Sequence, residues 1–317
     1  MSIFPVNPEV AVIIPCYNEA TTIGNVIEDI RLVDSNLTIY VYDNNSTDET
    51  WQIASDSGAT VRAERSQGKG KVVRRMFADV EADIYILIDG DHTYDTQGLD
   101  LMINKLLDEN LDMVTGRRVE KDRHAYRFGH RFGNRLLSWI VSLIFGEESS
   151  DLLSGYRVMS RRFVKSFPAV SSGFEVETEL TIHALSLNIP MAEVDTIYRE
   201  RPVDSASKLN TYRDGARILA TILLFTKEER PFLFFSLLSL ALAIMSLYFG
   251  VPLTVEFFET GLVPRFPTAI LSASVMLLAF LGLTTGMILD SVARGRREQK
   301  RLAYLSLDWL KQETSLN

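Results

Sequence analysis

Two stretches without a charged side chain, residues 231–255 and 266–289, constrain this chain more than anything else in it. About 20 apolar residues in helical form cross the roughly 30 Å hydrocarbon core of a bilayer. Buried helices of a soluble core are apolar too, but Leu233-Phe234-Phe235-Ser236-Leu237-Leu238 leaves no polar stripe for water. The two stretches are therefore expected to form a transmembrane hairpin. Lys227 and Arg230 precede the first, Arg294, Arg296, Arg297, Lys300 and Arg301 follow the second, and Arg265 alone lies between them. Basic residues collect on the cytoplasmic side, so the expectation is an inner-membrane protein with both termini in the cytoplasm.

The remainder is long enough for a domain with its own core. With 33 basic and 41 acidic residues the net charge is -8, which argues against nucleic acid as a partner, since phosphate contacts call for a basic face. The one cysteine, Cys16, excludes an intramolecular disulfide and suits a reducing compartment. Between residues 10 and 201, short β-branched runs alternate with helical stretches, the pattern of an α/β fold with a mostly parallel sheet. Strands are expected at 10–14, 38–42, 60–63, 84–88, 113–115 and 193–198. Ser46 and Glu49, three apart, form a candidate capping box for the helix after the second strand.

In open α/β sheets, ligands bind beyond the carboxyl ends of the strands. Three acidic loops fall there: Pro15-Cys16-Tyr17-Asn18-Glu19, Asp43-Asn44-Asn45-Ser46 and Asp89-Gly90-Asp91. The last follows the apolar run Ile84-Tyr85-Ile86-Leu87-Ile88. An Asp-x-Asp pair in that position offers hard oxygen ligands to Mg2+ or Mn2+, which can bridge the phosphates of a nucleotide diphosphate. His92 is expected to be packed or solvated, because nitrogen suits neither ion. Two segments look interfacial. Residues 126–145 set Arg127, His130, Arg131 and Arg135 among Phe128, Phe132, Leu136, Leu137, Trp139, Ile140 and Ile144; residues 211–226 repeat the idea with Arg213 and Arg217. Leu302, Tyr304, Leu305, Leu307, Trp309 and Leu310 make the tail a packing element, for contact within the chain or in a homo-oligomer. The expected domains are 1–210, 211–230, two spans at 231–255 and 266–289, and a cytoplasmic tail at 290–317.

Several short motifs recur in one order: the three loops above, Gly68-Lys69-Gly70, Ser154-Gly155-Tyr156-Arg157 and Ser207-Lys208 before the hairpin. In that order and spacing the chain resembles family 2 glycosyltransferases of the polyprenyl-phosphate type, the dolichyl-phosphate mannose and glucose synthases and the bactoprenol glucosyltransferases. The resemblance implies a GT-A-type, Rossmann-like domain that passes one hexose from a nucleotide diphosphate sugar to a polyprenyl phosphate lipid, with inversion. A UDP-sugar is the favoured donor and GDP-mannose the second. It implies that Pro15, Tyr17, Glu19 and Asp43 cradle the nucleoside, and that Lys69, Arg201 and Lys208 face the diphosphate. Asp91 would be the main metal ligand, with Asp89 on metal or ribose. Arg117, Arg127 and Arg131 would hold the acceptor phosphate, where guanidinium forms paired hydrogen bonds. Glu177 would position the sugar hydroxyls.

The chain departs from the family at Asn44-Asn45, where acidic residues are usual, at Thr93, where glutamine is common, and at Asp204, in place of glycine. A processive polysaccharide synthase would carry a Gln-x-x-Arg-Trp motif, which 134–139 matches only superficially. A diacylglycerol acceptor stays open, and so does an inactive membrane scaffold, against which Lys69, Asp89, Asp91 and Lys208 count.

Overall fold

The computed structural model describes residues 8–120, 138, 141–142, 150–199 and 211–309. Arg127, Arg131, Arg201 and Lys208 lie outside these residues, as does most of 126–145, of which Ser138, Val141 and Ser142 are helical. The chain forms two compact units: one of 1–221 with 300–317, the other of 222–299.

The first unit is built on a seven-stranded sheet. In chain order the strands are β1 (Val10–Cys16), β2 (Thr38–Asp43), β3 (Thr60–Ala63), β4 (Ile84–Leu87), β5 (Met113–Glu120), β6 (Arg157–Ser160) and β7 (Met191–Tyr198). Their order across the sheet is β3-β2-β1-β4-β6-β5-β7. β1 runs parallel to β2 and β4, β2 to β3, and β5 to β7; β6 is antiparallel to both its neighbours. The mostly parallel sheet expected from the sequence is present, with one strand the sequence hid. Arg-Val-Met-Ser shows neither alternation nor an apolar run, yet all four residues of β6 are buried. Because β6 runs backwards, its start lies at the edge where the other six strands end: Arg157 pairs with Leu87 and Thr115. That reversal delivers the 151–157 motif to the same edge as Asp43, Asp89 and Asp91.

Helices cover the sheet: α1 (Ile23–Val33), α2 (Thr50–Asp56), α3 (Lys69–Asp79), α4 (Leu99–Asp108), α5 (Arg161–Ser166) and α6 (Val176–Leu187). The capping box is not formed. α2 starts at Thr50, Glu49 makes no capping bond, and Asp48 Oδ1 accepts from the Thr50 amide at 3.1 Å. Ser46 Oγ instead accepts from the Asn18 amide at 2.9 Å, so its hydroxyl ties the first loop to the second.

The tail packs on this same unit. Tyr304 is 7% exposed and sits in the core on one side of the sheet, its hydroxyl on the buried Asp112 carboxylate and its ring 4.9 Å from the Arg162 guanidinium. Trp309 packs against the core on the other side. Nearby, His183 stands between Phe163 and Phe167, and burial, helped by the Lys300 charge, pulls it down to about 3. The unfolded chain takes up that proton below about 6.5, whereas the native protein refuses it until about 3. The stability tied to neutral His183 is thus complete above pH 6.5 and shrinks as pH falls toward 3. His183→Leu is expected to flatten the loss of thermal stability between about pH 6.5 and 4 relative to the parent, a comparison made by melting both proteins across that range.

α7 (Thr211–Glu229) leads toward the second unit, which holds α8 (Pro231–Thr260) and most of α9 (Phe266–Leu305). Both are long and apolar enough to cross a membrane; the 30 residues of α8 alone reach about 45 Å. Small residues let the two approach: Ser246 Oγ donates to the Ser272 carbonyl at 2.7 Å, Ser272 Oγ returns the bond at 2.9 Å, and Gly282 faces Ser239. Such close approach is how helices associate where lipid removes the hydrophobic drive. Arg296 and Arg297 donate to the last carbonyls of α7, at Glu228 and Glu229, as cations do at helix C-termini. Leu240, Phe258, Leu278 and Phe280 face outward, each about half exposed or more.

Candidate active site

At the carboxyl edge of the sheet the three loops interlock. The Asn44 amide donates to the Cys16 carbonyl at 2.8 Å, and Asn18 Oδ1 accepts from the Thr47 amide at 2.7 Å. Asp43, 7% exposed, uses Oδ2 to accept from the Ser46 amide at 3.2 Å, while its buried Oδ1 has no hydrogen-bond partner. A buried acceptor without a donor is costly, and Asp43 Oδ1 is left able to accept one. Glu19 is buried beside Thr22, whereas Tyr17 is 38% exposed at the mouth of the edge. Asn44 turns away from that mouth: its Nδ2 donates to the Glu64 and Ser66 carbonyls and its Oδ1 accepts from the Gly68 amide at 2.7 Å. An aspartate could not donate the first two bonds, which is the physical use of the departure at this position.

Those bonds fix the approach to Lys69, the first residue of α3. Gly68 has φ 131°, and a Cβ on it or on Gly70 would collide with the backbone at Ser172 or Ser171. The close approach that glycine permits is thus to the chain's own 171–172 backbone. Glu179 holds that backbone in turn, accepting from the Val170 and Ser171 amides at 2.8 and 2.7 Å. Lys69, its side chain 11% exposed, places Nζ 2.5 Å from Asp89 Oδ1 and 2.5 Å from Glu177 Oε1. Burial opposes its charge, but the two carboxylates outweigh burial and raise the ammonium above its ordinary range. Burial raises Glu177 above the usual carboxylate range, with Lys69 acting against it. Glu177 is 4% exposed and its Oε2 has no hydrogen-bond partner.

Asp89 is backed by the 151–157 motif. A Cβ at Gly155 would stand 2.5 Å from Asp89 Oδ2, so any side chain there would displace the Asp89 carboxylate, and the Gly155 amide donates to the Tyr94 hydroxyl at 2.8 Å. Arg157, wholly buried, donates to the carbonyls of Ser154, Leu152 and Glu177 and to Thr181 Oγ1 at 2.9–3.2 Å. Asp151 takes a two-pronged bond from Arg118, at 2.7 and 2.6 Å. Asp91, 3% exposed, accepts from Thr93 Oγ1 at 2.6 Å. His92 turns to Asp29 at 2.9 Å, and Cys16 is buried in the core. The His92 nitrogen is thus directed elsewhere, and the Asp-x-Asp loop presents oxygen.

Residues 11–167 match the profile of glycosyl transferase family 2. Glycosyltransferase AglJ of Haloferax volcanii is 30% identical over 299 residues, 94% of this chain and 98% of that protein. The chain belongs to glycosyl transferase family 2. A dolichyl-phosphate hexose transferase of Haloferax volcanii is 29% identical over 223 residues, 70% of this chain and 96% of that protein. Among solved structures, glucosyl-3-phosphoglycerate synthase of Mycobacterium tuberculosis, in complex with Mn2+, UDP-glucose and phosphoglyceric acid, superposes with a TM-score of 0.55 at 25% identity, covering 68% of this chain and 79% of that one. The sheet is therefore that of a GT-A-type nucleotide-sugar glycosyltransferase, carried on a chain with two apolar C-terminal helices.

In this family 2 glycosyltransferase, Pro15, Tyr17, Glu19, Asp43, Asp89 and Asp91 all lie on one sheet edge, and Lys69 and Glu177 reach it from the starts of two helices. Glu177, expected to position sugar hydroxyls, meets Lys69 through its Oε1. Arg117 pairs with Asp195 at 2.5 Å in an exposed contact, its charge favoured by that partner. Arg118 and Tyr94 carry structural roles at the site that no motif flagged; only the fold brings their partners within reach.

Proposed function

We propose that this glycosyltransferase transfers one hexose, with inversion, from a nucleoside diphosphate sugar to polyprenyl phosphate at the cytoplasmic face of the membrane. The observation that carries it is the Lys69–Asp89–Glu177 centre on the same sheet edge as Asp43, whose Oδ1 has no hydrogen-bond partner, in a chain that also holds two helices of membrane-crossing length. The kinship with a dolichyl-phosphate hexose transferase supports the acceptor. The Mn2+ and UDP-glucose in the mycobacterial structure support a divalent cation and a UDP-sugar. The basic residues flanking α8 and α9 support the cytoplasmic orientation.

The donor set suits Mg2+ or Mn2+. Asp91 and Asp89 would supply hard oxygen to either ion, while Thr93 is spent on Asp91. When bound, the cation neutralises the leaving diphosphate. Asp43 accepts from the nucleoside, and Lys69 with the expected Arg201 and Lys208 balances charge on the departing oxygen. A phosphate acceptor is already ionised near neutral pH, so it attacks the anomeric carbon without a general base. The new bond is phosphate oxygen to carbon, the bond broken joins that carbon to the diphosphate, and the nucleoside diphosphate leaves.

Acceptor phosphate is therefore indispensable. With radiolabelled sugar donor, polyprenyl phosphate is expected to be glycosylated at least about 10³-fold faster than the unphosphorylated polyprenol, which lacks both the charge and the ionised nucleophile. Comparable transfer to polyprenol, or to diacylglycerol, would reject the acceptor assignment.

A further inference from the structure

The Asp89 that serves the donor site is already bound to a cation, and that cation is Lys69. On the reading of a divalent metal at Asp91, we propose that Lys69 is a built-in counter-cation, holding Asp89 until metal arrives and then resting on Glu177, from where its charge faces the diphosphate.

Three features make the exchange possible. Gly155 stands against the Asp89 carboxylate on one side, and Lys69, on a four-carbon stem, is the longer and more flexible of the two side chains. Glu177 has room for it: Oε1 already holds Nζ at 2.5 Å, while the buried Oε2 has no hydrogen-bond partner and can accept a second N–H from the same ammonium. Glu177 stays in place, since Arg157 Nη2 donates to its backbone carbonyl at 3.0 Å and Glu179, two residues on, anchors the neighbouring loop.

An idle site with its carboxylates unpaired would be repelled from within. Lys69 removes that repulsion and, as the metal takes Asp89, withdraws only to the neighbouring carboxylate. Glu177 is thus a positioning residue: it acts on the metal site through Lys69.

The test is Mn2+ binding to the full-length protein in detergent without nucleotide, followed by the electron paramagnetic resonance signal of free Mn2+. Lys69→Met with Glu177→Gln removes both charges together and avoids stranding a buried carboxylate. This double variant is expected to bind Mn2+ about tenfold more tightly than the parent, because a competing positive charge is gone. Glu177→Gln alone is expected to bind about tenfold more weakly, because Lys69 then has only Asp89 as its carboxylate. Simple damage would weaken both. If Asp91→Ala abolishes binding but the double variant is no tighter, or Glu177→Gln no weaker, the counter-cation is overturned and the metal site stands. If Asp91→Ala binds Mn2+ like the parent, the metal site falls and the counter-cation with it.

Discussion

Asp91→Ala is expected to lower turnover by about 10³-fold or more while the protein folds and inserts as before, since charge stabilisation at a reacting diphosphate is worth several kcal/mol. Asp91 lies just beyond β4, 3% exposed, and its hydrogen bonds from Thr93 are local to the loop. The alternative ligand does not compensate, because Asp89 is shared with Lys69. Initial rates at saturating Mn2+, set beside the circular dichroism and melting curve of the variant, make the comparison. A rate within tenfold of the parent in a folded variant would remove Asp91 from the metal site.

Arg157→Met is expected to destabilise the first unit by about 3–5 kcal/mol, as when one side of a buried polar network is cut away. Wholly buried Arg157 is held by three carbonyls and the Thr181 hydroxyl, and burial lowers its guanidinium below the ordinary range. Methionine fills much of the volume and answers none of those acceptors, each costing about 1–3 kcal/mol if left unpaired. The melting temperature is expected to fall by on the order of 10 °C. Arg157→Lys is expected to recover only part of the loss, because a point charge cannot spread over acceptors on three sides. An unchanged melting temperature for Arg157→Met would show that the 151–157 motif is not a structural keystone.

The residues that were legible in the sequence are those whose neighbours along the chain announce them. β1, β2 and β4 are apolar runs that end in polar loops, so Asp43, Asp89 and Asp91 could be placed at one edge from periodicity and the crossover rule alone. The hairpin was legible for the same reason: charge vanishes over two long stretches. What remained hidden depends on partners far away in sequence. β6 looks polar because its arginine is satisfied by carbonyls from other segments. Lys69 meets Glu177 across more than 100 residues, and Tyr304 reaches Asp112 across 192. The capping box failed because Ser46 found a stronger tertiary use, on the first loop, than its local one. Asn44 looked like a flaw in a base-binding motif until its three bonds placed it as the strut of the Lys69 loop.

The most direct test of the central claim is mass spectrometry of the lipid product. The purified protein in detergent is supplied with Mg2+ or Mn2+, undecaprenyl phosphate and, in turn, UDP-glucose, UDP-N-acetylglucosamine, UDP-galactose and GDP-mannose. The account predicts a single glycosylated polyprenyl phosphate, formed from one donor, absent when the metal is chelated and absent from Asp91→Ala. A product carrying several sugar units, or a glycolipid that forms equally well with the metal chelated, would contradict it.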